Sequence, residues 1–256
     1  MKKYRSALVF CSMIFLSLIT VAQSSRFGKE RFTDGKGDTL NYRILTPDYN
    51  LTQRYPLVIF LHGSGERGKD NEKQLQWGVL NFATDQMMVA HPAFVLAPQC
   101  PEKQGWSNLD RKPGSRQMRL LTQPSRPMAL LIALIHQFIQ KHPVDTTRIY
   151  ITGLSMGGFG TFDLLERCPQ LFAAAVPVCG AGDTSKVAFF AHVPVWIFHG
   201  AEDAAVDPLC SKDMLDALQK SGAHPGLTLY PGVGHFSWLS AYSDPAMIEW
   251  LFRQHK

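Results

Sequence analysis

Residues 148–161 read Arg-Ile-Tyr-Ile-Thr-Gly-Leu-Ser-Met-Gly-Gly-Phe-Gly-Thr, and the pattern changes halfway. The first half favours a β-strand, and the residues after Met156 favour a helix. Ser155 lies at the junction between them. Such a sharp bend strains the serine backbone and crowds the residues two positions away, so Gly153 and Gly157 fit there because glycine lacks a Cβ. The pattern predicts a nucleophile elbow, in which the helix N-terminus faces a forming oxyanion.

The same Gly-x-Ser-x-Gly pattern also fits ordinary strand-to-helix turns, because glycine and serine are common residues. The apolar strand before Ser155 and the amphipathic helix after it are the context that favours the catalytic interpretation. A serine nucleophile still needs a base and an acid, which the rest of the chain must supply.

The chain has 256 residues, of which 45% are hydrophobic and 18% charged. This composition predicts one folded α/β domain with a full core. Residues 1–24 differ from the rest. A basic start precedes an uncharged apolar run over residues 7–21 and then Ala-Gln-Ser, which predicts a signal peptide cut before Ser25 and a catalytic domain over residues 25–256. The alternative is an uncleaved anchor, although a spanning helix needs about 20 apolar residues.

Charge and cysteine content limit the possible partners. Losing the three basic residues of the predicted signal lowers the formal net charge from +5 to +2. We therefore expect no nucleic-acid partner and no stable membrane insertion after cleavage. Cys100, Cys168, Cys179 and Cys210 would remain, and in an exported protein they could form disulfides in three pairings or stay as buried thiols.

Strand and helix patterns alternate along most of the chain. Residues 26–46 predict an antiparallel hairpin, and residues 55–61 are uniformly apolar, as in a strand buried on both faces. Helix-like spacing covers residues 69–90, whereas residues 100–126 lack periodicity and predict a long irregular loop. The fold class predicted is α/β, with a doubly wound, mostly parallel sheet and an antiparallel N-terminal hairpin.

Two loops are expected to surround the active site. The glycine-rich segment over residues 62–68 follows a buried strand, where the second oxyanion donor of an elbow fold is expected. A phosphate-binding loop is the alternative, but no G-x-G-x-x-G or Walker pattern is present. The loop over residues 100–126 follows a strand at the carboxyl edge of the sheet, where doubly wound folds keep their ligands.

The chain order Ser, then Asp or Glu, then His is typical of elbow folds. His235 lies in a glycine-containing loop between a strand and the last helix, which makes it the predicted base. Asp203 follows a buried strand and is the predicted acid, with Glu202 and Asp207 as neighbours. Asp207 is better explained as a cap of the helix that begins near Pro208.

Five segments together resemble the α/β-hydrolase superfamily, in particular secreted esterases related to polyhydroxybutyrate depolymerases, feruloyl esterases and the phospholipase/carboxylesterase group. They are residues 61–68, 97–101, 152–158, 199–206 and 232–238. The resemblance covers nearly all of the chain after residue 24. It implies Asp203 as the triad acid and the backbone N–H groups of Ser64 and Met156 as the oxyanion hole.

The sequence thus predicts a secreted serine carboxylesterase that forms an acyl-enzyme and needs no cofactor or metal. We expect a periplasmic or extracellular enzyme acting on a small-molecule or polysaccharide ester, such as the acetyl or feruloyl groups of plant polysaccharides. Trp106 and Trp238 are predicted to contact this substrate, with a place in the core as the alternative for both. A serine peptidase, or a binding protein on a hydrolase fold, is the alternative function.

Overall fold

The computed structural model describes residues 22–48, 52–111 and 114–256. Its strands are β1 Phe27–Thr33, β2 Thr39–Leu45, β3 Tyr55–Leu61, β4 Phe94–Pro98, β5 Leu109–Arg111, β6 Met118–Leu120, β7 Val144–Leu154, β8 Ala174–Val178, β9 Trp196–Gly200 and β10 Gly226–Tyr230. Its helices are α1 Asp85–Ala90, α2 Arg126–Lys141, α3 Met156–Arg167, α4 Val187–Phe190, α5 Leu209–Lys220, α6 Trp238–Ala241 and α7 Pro245–Arg253.

Eight of these strands form one sheet in the order β1-β2-β4-β3-β7-β8-β9-β10. The strand β2 pairs antiparallel with both β1 and β4, and every pair from β4 to β10 is parallel. The prediction of a mostly parallel sheet that begins with an antiparallel hairpin is therefore confirmed. Parallel strands align their carboxyl ends, so the loops after β3, β7, β9 and β10 meet at one edge.

The alternating side chains of β3 divide the core into two layers. Leu57, Ile59 and Leu61 pack on one face with helices α2, α3 and α5. Val58 and Phe60 pack on the other face with helix α7. All five side chains are fully buried. A strand covered by helices on both sides has no face for polar residues, which is why this segment is uniformly apolar.

The helix predicted over residues 69–90 is largely wrong. This segment instead forms two 3₁₀ turns, Lys73–Leu75 and Val79–Ala83, and only α1 is α-helical. Gly78 explains the break, because its φ is +75° and a Cβ there would lie 2.4 Å from Cδ2 of Tyr242. The apolar residues of the segment are buried by separate 3₁₀ turns and not by the face of one amphipathic helix.

The predicted irregular loop over residues 100–126 contains a short antiparallel hairpin. Strands β5 and β6 pair with each other in a separate two-stranded sheet. Each strand has three residues, which is too short for a period-two pattern to stand out.

The predicted signal peptide lies outside the described residues as far as residue 21. The described part begins with a helical segment at residues 22–25, so the proposed cut before Ser25 stays a prediction. None of the helices in the described ranges combines the length and the apolar character that crossing a bilayer requires.

Candidate active site

Ser155 lies on the turn that joins β7 to α3. Its φ of 51° and ψ of −116° place a non-glycine residue in the positive-φ region, as expected of the predicted bend. The Ser155 N–H donates to the carbonyl of Val178 at the end of β8, at an N–O distance of 2.9 Å. This bond ties the strained turn to the neighbouring strand and presents the hydroxyl at the carboxyl edge of the sheet.

Replacing Gly157 by alanine is expected to destabilise the protein by more than about 4 kcal/mol. A Cβ at Gly157 would lie 1.9 Å from the carbonyl oxygen of Leu61, a backbone atom of a fully buried strand. Moving the strand and the elbow apart would cost packing energy, because the core is close-packed. Urea-induced unfolding of the variant and the wild type measures the change in the free energy of unfolding.

Gly35→Ala is the matched control, because nothing lies within 4 Å of a Cβ at Gly35. Its stability should stay close to that of the wild type. Equal stability of the two variants would contradict the steric argument.

A chain of hydrogen bonds connects Ser155, His235 and Asp203. The distance from Ser155 Oγ to His235 Nε2 is 2.9 Å, and His235 Nδ1 lies 2.7 Å from Asp203 Oδ2. Because the carboxylate can only accept, Nδ1 carries the proton and donates it, which leaves the Nε2 lone pair to accept the Ser155 hydroxyl. The structure thus brings together the three residues that the sequence singled out, in the geometry of a nucleophile, a base and an orienting acid.

Backbone amides of its own loop hold the Asp203 carboxylate. Its Oδ1 accepts from the N–H groups of Ala205 and Val206, at 2.8 and 2.9 Å. Burial by itself would raise the pKa of Asp203, but the hydrogen bonds from His235, Val206 and Ala205 outweigh it and hold that pKa below its ordinary value. The carboxylate is therefore ionised wherever the enzyme would work.

Sequence reasoning missed a second histidine at this carboxylate. His199, the buried penultimate residue of β9, has its Nε2 3.1 Å from Asp203 Oδ2 and 3.0 Å from the Val206 carbonyl. Two acceptors require Nε2–H as the donor, so Nδ1 accepts the Ser211 hydroxyl at 2.6 Å. Burial lowers the pKa of His199 and favours this neutral form. The bond between His199 and this carboxylate could not be read from the sequence.

Asp207 lies where the sequence analysis placed it, at the start of α5. Its Oδ1 accepts the N–H of Leu209 at 2.9 Å, and the residue is not part of the hydrogen-bond chain. Glu202 is exposed, beside the buried Asp203.

His62 organises the loop that carries Ser64. Its Nε2 accepts the Cys100 N–H at 2.9 Å, and Nδ1 lies 2.6 Å from the Gly63 carbonyl, which fixes Nδ1–H as the donor. Burial lowers the pKa of His62 to about 4, so the ring is neutral. Ser64 follows directly in a 3₁₀ turn. Met156 is the first residue of α3, whose leading N–H groups have no partner within the helix.

The structure corrects the predicted role of Trp106. Its side chain has no exposed surface, and its Nε1 donates to the His62 carbonyl at 3.2 Å. The ring also packs against α3, since a Cβ at Gly160 would lie 2.6 Å from Trp106 Cβ. A tryptophan enclosed in this way supports the His62 loop and has no free face for a substrate.

Trp238 is also a packing residue. Only 6% of its surface is exposed, and its ring meets the His235 imidazole edge-on with the centroids 5.2 Å apart. Trp238 therefore packs against His235, the predicted base, and not against a substrate as predicted. The aromatic side chain that faces solvent here is the neighbouring Phe236, which is 57% exposed.

A cavity of about 380 Å³ opens beside Ser155. The hairpin β5–β6 forms one wall and the first turns of α3 form the other. Its apolar lining comes from Leu109, Met118, Met156 and Phe159, and Arg111 is the charged side chain among its described lining residues. An acyl or alcohol group attached to a carbonyl at Ser155 could enter this space.

Two carboxylates beneath the hairpin attach its ends to the body of the fold. Asp163 on α3 accepts the Asn108 N–H at 3.1 Å, and Asp183 accepts the Leu120 N–H at 2.9 Å. Arg167 pairs with Asp163 at 2.7 Å and donates to the carbonyls of residues 121 and 122, both at 2.9 Å. The cavity wall is thus anchored at both ends.

Glu166 lies in the same buried group with one oxygen unpartnered. Its Oε1 accepts the Asp183 N–H at 2.8 Å, while Oε2 has no hydrogen-bond partner among the described residues. Burial raises the pKa of Glu166 to about 9, and the nearby Asp163 and Asp183 also raise it. We therefore expect a neutral carboxylic acid at this position near pH 7.

Glu166 is expected to make the protein less stable as the pH rises. Its pKa is about 9 when folded against an ordinary value of 4.5, so between these values the folded chain keeps a proton that the unfolded chain releases. The contribution of Glu166 to the free energy of unfolding is fully present below pH 4.5 and is lost as the pH rises towards 9. Glu166→Gln stays neutral, so its Tm relative to wild type should increase from about pH 5 to about pH 8. The exposed Glu102→Gln is the control, and parallel Tm curves for Glu166→Gln and wild type would refute the expectation.

One group within the described ranges brings together three possible metal ligands, on Cys179, Asp203 and His235. Two of them already hydrogen-bond to each other in the Ser155 chain. Burial raises the pKa of the Cys179 thiol to about 12, which disfavours the thiolate that a metal would bind. The donor set therefore fits the hydrogen-bond chain better than an ion.

All four cysteines of the described chain are buried thiols without disulfide bonds.

Comparison with known proteins assigns the chain to a family. Residues 50–244 match the family model described as phospholipase/carboxylesterase. The chain belongs to the phospholipase/carboxylesterase family. The predicted resemblance to the α/β-hydrolase superfamily is therefore confirmed, and with it the prediction of an ester hydrolase at the level of the enzyme class.

Three curated relatives match the chain, and their names differ in the substrate. The chain is 23% identical to poly(3-hydroxyalkanoate) depolymerase C of Paucimonas lemoignei, over 69% of this chain and 39% of that protein. It is 24% identical to the bifunctional acetylxylan esterase/xylanase XynS20E of Neocallimastix patriciarum, over 60% and 20% of the two chains. It is 26% identical to acyl-protein thioesterase 1 of Neurospora crassa, over 71% and 80%. The chain thus spans less than half of the first two proteins.

Among solved structures, a thermostable esterase is similar in both fold and sequence. The TM-score is 0.85 and the sequence identity is 38%. The match covers 92% of this chain and 64% of the thermostable esterase. The agreement over most of the chain supports the α/β-hydrolase fold described above.

Proposed function

We propose that this chain is a serine carboxylesterase that forms an acyl-enzyme on Ser155. The observation that carries the proposal is the unbroken hydrogen-bond chain from Ser155 Oγ through His235 to Asp203, on a turn with positive φ at the serine. Membership of the carboxylesterase family supports the same chemistry.

In the proposed reaction His235 Nε2 takes the proton from Ser155 as Oγ attacks the ester carbonyl. The tetrahedral oxyanion accepts hydrogen bonds from the N–H groups of Ser64 and Met156. Each such donor contributes about 2.7–4 kcal/mol to lowering the barrier. His235 then protonates the departing alcohol, and a water molecule activated by the same imidazole releases the acid from the acyl-enzyme.

For the substrate, we propose an ester of a plant polysaccharide, with an acetyl or feruloyl acyl group. The cavity beside Ser155 has room for an acyl group of this size and an apolar lining. One relative named above is an acetylxylan esterase, which supports an acetylated polysaccharide. We also propose export to the periplasm or the outside of the cell, with support from the residue pattern of positions 1–24 alone.

A panel of substrates tests this proposal. The protein beginning at Ser25 is assayed on nitrophenyl acetate, longer nitrophenyl esters, methyl ferulate, acetylated xylan, an acyl thioester and a peptide anilide. Serine-dependent turnover of acetylated xylan or methyl ferulate would support the polysaccharide substrate. Turnover of the thioester or the anilide in preference to all esters would overturn the carboxylesterase assignment, and no turnover together with no fluorophosphonate labelling would favour a binding protein.

A further inference from the structure

Among the described residues that line the cavity beside Ser155, one is a cation, and no described carboxylate pairs with it. Arg111, at the end of β5, is exposed and lines this cavity together with Ser155 itself. Its Nε donates to the Ser115 carbonyl at 2.8 Å across the hairpin turn. That bond holds the side chain in place and leaves the two terminal nitrogens, with four N–H donors, for other acceptors.

The other arginines of the same hairpin are already paired. Arg116 lies 3.2 Å from Asp213, and Arg119 lies 3.2 Å from Asp110. In the part of the chain that the structure describes, no carboxylate lies within ion-pair distance of Arg111. The nearest acidic neighbour in sequence, Asp110, is used by Arg119. The one hairpin arginine in the Ser155 cavity is therefore the one left without an anion.

No acidic group counteracts Arg111 inside the cavity. Its other lining residues are glycine, serine, leucine, methionine and phenylalanine. Asp203, the carboxylate of the hydrogen-bond chain, has its side chain fully buried behind His235. Helix α3 also begins at this cavity, and a helix N-terminus favours negative charge. An apolar space with a cation at its edge suits a group that carries a carboxylate at some distance from the scissile ester.

We infer that the site prefers esters whose acyl group or alcohol carries a carboxylate, and that Arg111 binds this carboxylate. The guanidinium fork matches the two oxygens of a carboxylate, which makes the contact directional as well as attractive. The inference rests on the proposed esterase function and narrows it. Among polysaccharides, it selects those with uronic acid units near the esterified position.

Two pairs of esters, each differing only in charge, test the inference. One pair is 4-nitrophenyl hydrogen adipate and the nitrophenyl ester of adipamic acid, with the charge on the acyl group. The other is the acetate ester of 4-(hydroxymethyl)benzoic acid and that of the matching benzamide, with the charge on the alcohol. In at least one pair, wild-type kcat/KM should favour the anion by about 2-fold to 5-fold, the range for an ion pair with an exposed cation.

Arg111→Gln should reduce the ratio of kcat/KM for the anionic ester to kcat/KM for the neutral ester to about 1, so the loss is larger for the anionic ester than for the neutral one. Arg116→Gln is the matched control on the same hairpin and should keep the preference, because its partner Asp213 lies on α5. Added salt should weaken the preference in the wild type, because the cation is exposed.

The outcomes separate the inference from the function on which it rests. Equal kcat/KM for charged and neutral esters in both pairs would overturn the role of Arg111 and leave the esterase intact. An equal loss of the preference in Arg116→Gln would assign it to the overall charge of the hairpin and would also overturn that role. If no ester is hydrolysed in a serine-dependent way, the proposed function fails and the inference fails with it.

Discussion

Ser155→Ala is expected to lower kcat/KM for ester hydrolysis by about 10⁴-fold to 10⁶-fold. Without Oγ no acyl-enzyme can form, and only the oxyanion donors and substrate binding remain to assist attack by water. The fold should be unaffected, because the strained turn is set by the glycines at positions 153 and 157 and not by the hydroxyl. Initial rates on nitrophenyl acetate measure the loss, and a fluorophosphonate probe should label the wild type alone.

Ser107→Ala is the matched control for this experiment. Ser107 lines the same cavity, and its Oγ is buried without a hydrogen-bond partner among the described residues. Its hydrolysis rate should stay within a few-fold of wild type. Hydrolysis at the wild-type rate by Ser155→Ala, or a comparable loss in Ser107→Ala, would mean that the nucleophile has been assigned to the wrong serine.

Asp203→Asn is expected to lower kcat by about 10⁴-fold. The asparagine amide would donate to His235 Nδ1 where the carboxylate accepts, so the imidazole would carry its proton on Nε2 instead. A protonated Nε2 cannot accept the Ser155 proton. The same substitution removes the acceptor of His199 Nε2, which keeps its second bond to the Val206 carbonyl.

Asp207→Asn separates this effect from a general loss of negative charge in the loop. Within the described chain, the Asp207 side chain hydrogen-bonds to the Leu209 N–H at the start of α5, and asparagine caps a helix about as well as aspartate does. This variant should keep wild-type activity. If both variants lost activity equally, or if Asp203→Asn kept it, the orienting carboxylate would have to be sought elsewhere.

Local sequence patterns predicted the elbow because the constraint there is itself local. Gly153 has to be glycine because a Cβ there would lie 2.5 Å from the carbonyl oxygen of Gly157, only four positions away, and the same turn gives Ser155 its positive φ. The buried strand β3 was equally readable, since helices cover both of its faces. The partners of the serine could be proposed because strand ends in a parallel sheet converge on one edge.

Contacts between distant segments could not be read in this way. The Nε2 of His62 accepts the N–H of Cys100, 38 positions away, and nothing near either residue indicates the pairing. Trp106 was assigned to the substrate because aromatic faces suit sugars and phenolics, although tertiary packing buries it completely. Gly160 was the available signal, because a glycine inside a helix costs about 1 kcal/mol and indicates that something packs closely against it.

The hairpin over β5 and β6 has a consequence for how this chain can diversify. Its two strands pair only with each other in the described structure and add no strand to the eight-stranded sheet, and its two ends are held by Asp163, Arg167 and Asp183. An exchange of the segment between these fastenings would leave the hydrogen bonds of Ser155, His235 and Asp203 untouched. Recombination or loop grafting at residues 108 and 121 can therefore change the wall of the cavity while the rest of the fold and the hydrogen bonds of Ser155 stay as they are.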